Sequence, residues 1–298
     1  CFNILLGCNT GPAIDSGDHN FLVGCHAGKD ITSSSCNIAI GLCALCAQTT
    51  GHSANGNNVA IGQESLAKTT CLNNIGIGQG AGKGGSGTVS YKHSIFLGTN
   101  AGGYVNSGNC SIFLGRYAGR GNSSGGMTGD DNIVIGGDAG CILSSGSTNI
   151  IIGKTAGYSV TTGHYNIMFG KSAGKCATTG CSNIFLGDEA GLGASSSGVT
   201  GHNNYGIGTG ALSLLSSGCF NTAMGQKAGE KLSTGKYNIL FGRNAGCGLT
   251  TQLHNIVVGN DTLVLNGGTH NIAMGYFAAR GSGTAADNDA SYNVVLGY

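Results

Sequence analysis

The sequence predicts an all-β protein, a parallel β-solenoid or β-roll, on three observations. A nine-residue phrase (Asn, Ile, apolar, Ile or Leu, Gly, two variable residues, Ala, Gly) recurs seventeen times and fills the chain. Clear copies are NIIIGKTAG at 149–157, NIMFGKSAG at 166–174, NIFLGDEAG at 183–191 and NILFGRNAG at 238–246. The copies open at 3, 20, 37, 58, 74, 94, 111, 132, 149, 166, 183, 204, 221, 238, 255, 271 and 293, so rungs run 16–22 residues and most often 17. Glycine supplies 58 of 298 residues while 40% are hydrophobic, which suits an ordered fold rich in tight turns rather than a disordered one. Self-similarity at a short fixed period marks a solenoid, because each repeat buries its apolar face only against its neighbours. The repeats run end to end, so one repeat domain, 1–298, is expected.

Position one of the repeat is Asn at 3, 20, 37, 58, 74, 132, 149, 166, 183, 204, 221, 238, 255, 271 and 293, with Ser94 and Ser111 in the other two copies. Identical amides stacked rung on rung can share hydrogen bonds along a ladder. Asn also tolerates left-handed turn geometry. The ladder is therefore Asn3, Asn20, Asn37, Asn58, Asn74, Asn132, Asn149, Asn166, Asn183, Asn204, Asn221, Asn238, Asn255, Asn271 and Asn293.

Positions two and four are apolar, the alternation of a strand. Position three is apolar as well, and a strand apolar on both faces is covered on both. One face fills the inside of its own coil, and the other needs a partner. Gly at position five turns the chain, and the small Ala at position eight fits inside a narrow coil. Position twelve is often apolar again (Ile31, Leu143, Val160, Leu232), and a Ser/Thr-rich turn follows. Each rung then reads as strand, Gly turn, short second strand and polar turn.

Energetics require stacking. Ordering a rung costs roughly 1–2 kcal/mol per residue in backbone entropy. Burying four or five aliphatics returns about 1.5–3 kcal/mol each. One rung does not stand alone, and strands about 4.8 Å apart would make seventeen rungs a rod of roughly 80 Å.

A longer rhythm overlies the repeat. The third, seventh and eleventh copies are 21 residues long and end in similar loops, 49–58, 123–132 and 195–204, and a later one spans 282–293. Loops presented from one side every four rungs are the expectation.

The phrase NIxIGxxAG resembles the head repeats of YadA-type trimeric autotransporter adhesins and related tail-fibre and surface-fibre repeats of viruses. That resemblance implies a β-roll packed as a trimer of chains about one axis, with position three (Phe96, Phe113, Val134, Ile151, Met168, Phe185, Leu240 and Val257) as the interface between subunits, and an extracellular, cell-surface or virion-surface location.

Apparent chemistry elsewhere yields to the repeat. Gly76-Ile77-Gly78-Gln79-Gly80-Ala81-Gly82 looks like a dinucleotide fingerprint, but no helix fits before the next copy at Ser94. Cys43 and Cys46 form a lone C-x-x-C without a second ligand pair. Cys8 and Cys25 share position six of adjacent rungs, and Cys176 and Cys181 lie in one repeat, so both pairs are candidate disulfides. His19, His93, His254 and His270 each precede a repeat start, the last two on neighbouring rungs. Asp287 and Asp289 share an oxygen-rich loop. Asn109, Asn122 and Asn260 open glycosylation acceptor triplets.

No residue is assigned a catalytic, cofactor-binding or metal-binding role. Net charge is +1 with 9% charged residues, which gives no electrostatic case for nucleic acid. No stretch approaches 18 continuous apolar residues, so no membrane insertion is expected. The function expected is a non-enzymatic fibre or adhesin-like surface protein. Its partners would be itself, as a homotrimer or filament, and a host or cell-surface receptor or glycan. The phase at which both ends cut the repeat suggests a piece of something longer, and an end-to-end filament is the alternative.

Overall fold

A computed structural model describes residues 2–46, 56–86, 89–123, 125–194, 198–263, 268–281 and 291–298. They hold seventeen three-residue strands, all parallel, and no helix. The chain is a parallel β-solenoid. It folds as two compact units, Cys1–Asn149 and Ile150–Tyr298, each built on the same rung.

The first unit stacks β1 (Ile4–Leu6), β2 (Phe21–Val23), β3 (Ile38–Ile40), β4 (Val59–Ile61), β5 (Ile75–Ile77), β6 (Ile95–Leu97), β7 (Ile112–Leu114) and β8 (Ile133–Ile135) in chain order. The second stacks β9 (Ile150–Ile152), β10 (Ile167–Phe169), β11 (Ile184–Leu186), β12 (Tyr205–Ile207), β13 (Thr222–Met224), β14 (Ile239–Phe241), β15 (Ile256–Val258), β16 (Ile272–Met274) and β17 (Val294–Leu296). Register is strict: Ile95 pairs with Ile112, Phe96 with Phe113, and Ile239 with Ile256. Each repeat position therefore becomes a column of side chains.

Position three is the inward column, which corrects the expected interface. Phe96, Phe113, Val134, Ile151, Met168, Phe185, Leu240 and Val257 are all fully buried within their own coil. Strand alternation sends the outer pair, positions two and four, to the surface instead. The inward column meets the Ala of position eight (Ala101, Ala118, Ala173, Ala245) and the apolar residues of position twelve (Ile31, Leu143, Leu232, Leu249), all buried.

Volume is balanced within a rung. In most rungs with a large position three, position nine is Gly: a Cβ on Gly191 would stand 2.3 Å from Phe185. In three rungs position three shrinks to Ala39, Ala60 or Gly206 and position nine becomes Leu45, Leu66 or Leu212, each fully buried, while the rungs of Gly76 and Ala223 keep Gly at position nine. A close-packed interior requires such trades.

Position five needs glycine for two reasons at once. Gly170 has φ +135°, and a Cβ there would lie 2.4 Å from the carbonyl oxygen of Gly187 on the next rung. The second strand expected in each rung is absent as a ladder among the described residues. Its place is taken by turns joined to the next rung by single bonds, such as Gly28 N to Ala44 O at 2.9 Å and Tyr104 N to Arg120 O at 2.8 Å. Left-handed residues at position seven, such as Glu64 (φ 55°) and Asn244 (φ 55°), break strand geometry there. Among the described residues, isolated bridges of Val105 with Met127 and Ala177 with Val199 remain.

Two of the long loops leave at the same place in the repeat, after Asn122 and Ala194. Gly126 N bonds Asn122 O and Gly198 N bonds Ala194 O, both at 2.9 Å. Buried Met127 and Val199 then return the chain to the core. The tips of the loops at 49–58, 195–204 and 282–293, with Asp287 and Asp289, lie largely or wholly outside the described residues.

Candidate functional site: ladders and outward columns

The Asn column forms an internal hydrogen-bond ladder. Asn37 donates from both N and Nδ2 to Asn20 Oδ1 at 3.0 Å. Asn58 does the same to Asn37 at 3.1 Å. In the second unit Asn238 repeats this on Asn221, and Asn255 on Asn238. The remaining Nδ2 hydrogen ties the rung to itself by reaching a turn carbonyl further along the chain, as from Asn221 to Gly235 O at 2.8 Å. The two serines preserve the chain of acceptors: Ser111 N donates to Ser94 Oγ at 3.3 Å and Asn132 N to Ser111 Oγ at 3.2 Å. From Asn20 through Asn271 the column is buried, so its amides brace the fold and offer little to a ligand. Asn itself is not left-handed here. The residue before it is, as at His19 (φ 56°), Asn57 (φ 58°) and Tyr237 (φ 59°).

The outward columns are apolar. In the first unit Phe21, Ile38, Ile77, Ile112 and Leu114 are exposed on the strands' outer face. In the second, Ile150, Ile167, Phe169, Tyr205, Met224, Ile239, Phe241, Ile256 and Met274 are exposed. The columns at positions two and four thus give each unit a contiguous apolar face, larger than isolated surface hydrophobics would make.

Beside that face in the second unit stands a third column, the left-handed residue before each Asn. Phe220, Tyr237, His254, His270 and Tyr292 stack ring on ring with centroids 5.2, 4.9, 4.7 and 4.8 Å apart. His254 and His270 do stack on neighbouring rungs, inside this longer aromatic run. His19 instead sits against Asp18 at 3.3 Å and Phe2 at 5.8 Å, and His93 against Asn73 at 3.4 Å. Sequence reading missed the column because its five members are scattered in type and become one object only in register.

The other candidates do not converge. Cys8, Cys25, Cys176 and Cys181 are free thiols, so neither expected disulfide is formed. Cys181 Sγ is turned to Thr179 O and receives His164 N, both at 3.4 Å, while Cys176 packs against Gly193. Burial pushes the Cys25 thiol up, with Cys8 and Cys43 adding to it. Burial, with Cys43 beside it, pushes Cys46 up to about 12. Gly76 lies in β5, where a Cβ would meet Leu66 at 2.7 Å, and turns follow it where a dinucleotide site needs a helix. Asn109 is held by Asp130 Oδ1 through both N and Nδ2, at 2.7 and 3.1 Å.

A polar cleft of about 230 Å³ in the first unit is lined by Lys68, Lys83, Asn100, Tyr104 and Ser123. Its cations are engaged: Lys68 Nζ donates to Gly85 O at 2.8 Å, and Lys83 pairs with Glu64 at 2.6 Å. Among the described residues no group of three or more His, Cys, Asp or Glu side chains gathers as a metal site. Among them, too, no helix is long and apolar enough to cross a membrane. No known family, curated protein or solved structure matches this chain.

Proposed function

We propose that this chain is a non-enzymatic structural protein, a fibre-forming or adhesin-like surface protein whose stiff solenoid units self-associate and present loops for attachment. The observation that carries this reading is the outward apolar face. The polar side chains most often repeated, the Asn column, are spent inside the coil, while positions two and four hold aliphatic and aromatic residues out to solvent rung after rung. Such a face calls for a cover, and another copy of the same chain matches its repeat. The expected homotrimer is retained in this proposal, with its contact moved from position three to positions two and four. A host or cell-surface receptor or glycan would then be met by many weak contacts that add by avidity. An extracellular, cell-surface or virion-surface setting follows from the same reading.

Sedimentation across a dilution series, with electron microscopy of the same sample, tests the proposal. Discrete oligomers or fibres support it. A chain that stays monomeric at high concentration overturns it.

A further inference from the structure

The aromatic column of the second unit is not something the rung needs. Phe220, Tyr237, His254, His270 and Tyr292 all sit at φ between 57° and 61°. A bulky L-residue is disfavoured in that left-handed region, where Asn is tolerated best. Asn occupies the equivalent place at Asn57, Asn73 and Asn203, with φ of 58°, 61° and 57°. Phe220, Tyr237 and Tyr292 therefore stand where a small polar residue folds more easily, while His254 and His270, of a type enriched at positive φ, carry the stack through. A local choice that opposes local propensity points to a gain elsewhere.

The geometry limits what that gain is. Interplanar angles are 6°, 11°, 20° and 11°, so each ring covers the next ring's face. Ring edges are left to solvent, with Phe220 50% and Tyr237 48% exposed, and Tyr292, the end of the stack, leaves a face open as well at 78%. A sugar that stacks on a ring face finds those faces covered between neighbours. A surface that repeats once per rung can match every ring in turn.

We infer that this column, with the apolar columns beside it, is a contact site for a second copy of this chain. The inference rests on the self-association proposed above and says where in the second unit it occurs. The spacing argues for it, since another solenoid of this rung carries columns at the same interval. The area argues for it too. At roughly 200 Å² for each large side chain, the exposed parts of the three rings and of Ile239, Ile256, Phe241, Met224 and Met274 sum to about 750 Å². A standard interface uses roughly 800 Å² per partner. Aromatic residues are also enriched where interfaces hold most tightly.

The test uses the 1–298 chain and a Tyr237→Asn/His254→Asn variant, whose new residues suit the left-handed backbone. Sedimentation equilibrium measures self-association of both, and circular dichroism checks the fold. The expected result is association weakened at least about tenfold in the variant, as for loss of interface anchors. Hydroxyl-radical labelling of the unaltered chain is the second measurement, independent of the variant's folding. Labelling of Tyr237 and Tyr292 should fall as the chain is concentrated from monomer to assembly. Unchanged affinity in a folded variant, or rings that stay fully labelled in the assembled chain, overturns the inference while leaving the structural proposal standing. An unaltered chain that never associates overturns both.

Discussion

Removing one amide from the middle of the Asn ladder should expose how much each rung depends on the next. Asn238 is fully buried. Its Oδ1 accepts Asn255 N and Nδ2 at 3.0 and 3.1 Å, and its Nδ2 donates to Asn221 Oδ1 at 3.0 Å and Gln252 O at 2.9 Å. Asn238→Ala deletes the acceptor for Asn255 N and Nδ2 and the donor to Gln252 O, while Asn221 Oδ1 keeps the backbone N–H of residue 238. Each buried group left without a partner costs roughly 1–3 kcal/mol, so three such groups cost about 3 kcal/mol at the low end. Asn238→Ser should cost about 1 kcal/mol, because Ser94 shows how a hydroxyl fills the role: it accepts Ser111 N and donates to Gly108 O, both at 3.3 Å. Repeat arrays need not unfold in two states, so the assay is native-state hydrogen exchange at the Asn255 amide rather than a single melting curve. Exchange there should quicken about a hundredfold in the Ala variant and far less in the Ser variant. Equal effects of Ala and Ser, or no change in either, would refute the claim that the ladder carries the rung.

Three further outcomes follow from the packing. Gly170→Ala should destabilise the second unit strongly, since its Cβ would meet Gly187 O at 2.4 Å from a φ of +135°, whereas Gly137→Ala has open space and should leave thermal stability unchanged. Leu212→Gly should open a cavity costing about 2–5 kcal/mol, and adding Gly206→Leu, which restores the large-three, Gly-nine arrangement of other rungs, should recover part of it in a double-mutant cycle. Cys46 should react with iodoacetamide at pH 8 more slowly than a thiol of ordinary pKa, about 8.5, because burial and Cys43 push it up to about 12. The sign for stability is set by the same shift. Above the unfolded thiol's pKa the unfolded chain loses this proton first, so the contribution falls between about pH 9 and 12.

Most of the rung was legible because the repeat aligns each position with itself seventeen times. The Gly of position five and the small Ala of position eight each have one physical use in a narrow coil. The phase of the strand was not legible. Ile150, Ile151 and Ile152 are alike in hydropathy, and alternation states that neighbours face opposite ways without stating which way is in. Buried Asn149 fixes the phase, since position one and position three share a face. Stacked Asn amides could serve a buried or an exposed ladder, so the residue type alone left that open. The aromatic column escaped because Phe220, Tyr237 and Tyr292 read as isolated surface rings until strict register piles them up.

The same register makes the outward face separable from the fold. Ile239 and Ile256 are directly paired across β14 and β15, and both point away from the core. Combining Ile239→Lys with Ile256→Glu puts opposite charges on directly paired positions, which strand pairs tolerate or favour by roughly 0.2–1 kcal/mol. No inward contact of Leu240 or Val257 is touched, since both lie on the other face. The solenoid should therefore keep its circular dichroism and hydrogen-exchange protection. Association should weaken sharply, because a desolvated charge pair replaces two aliphatic contacts at the centre of the proposed face. If the double variant unfolds, the outer column belongs to the fold. If it folds and associates as before, the copies meet on some other face, and the outward aliphatic columns need a different explanation.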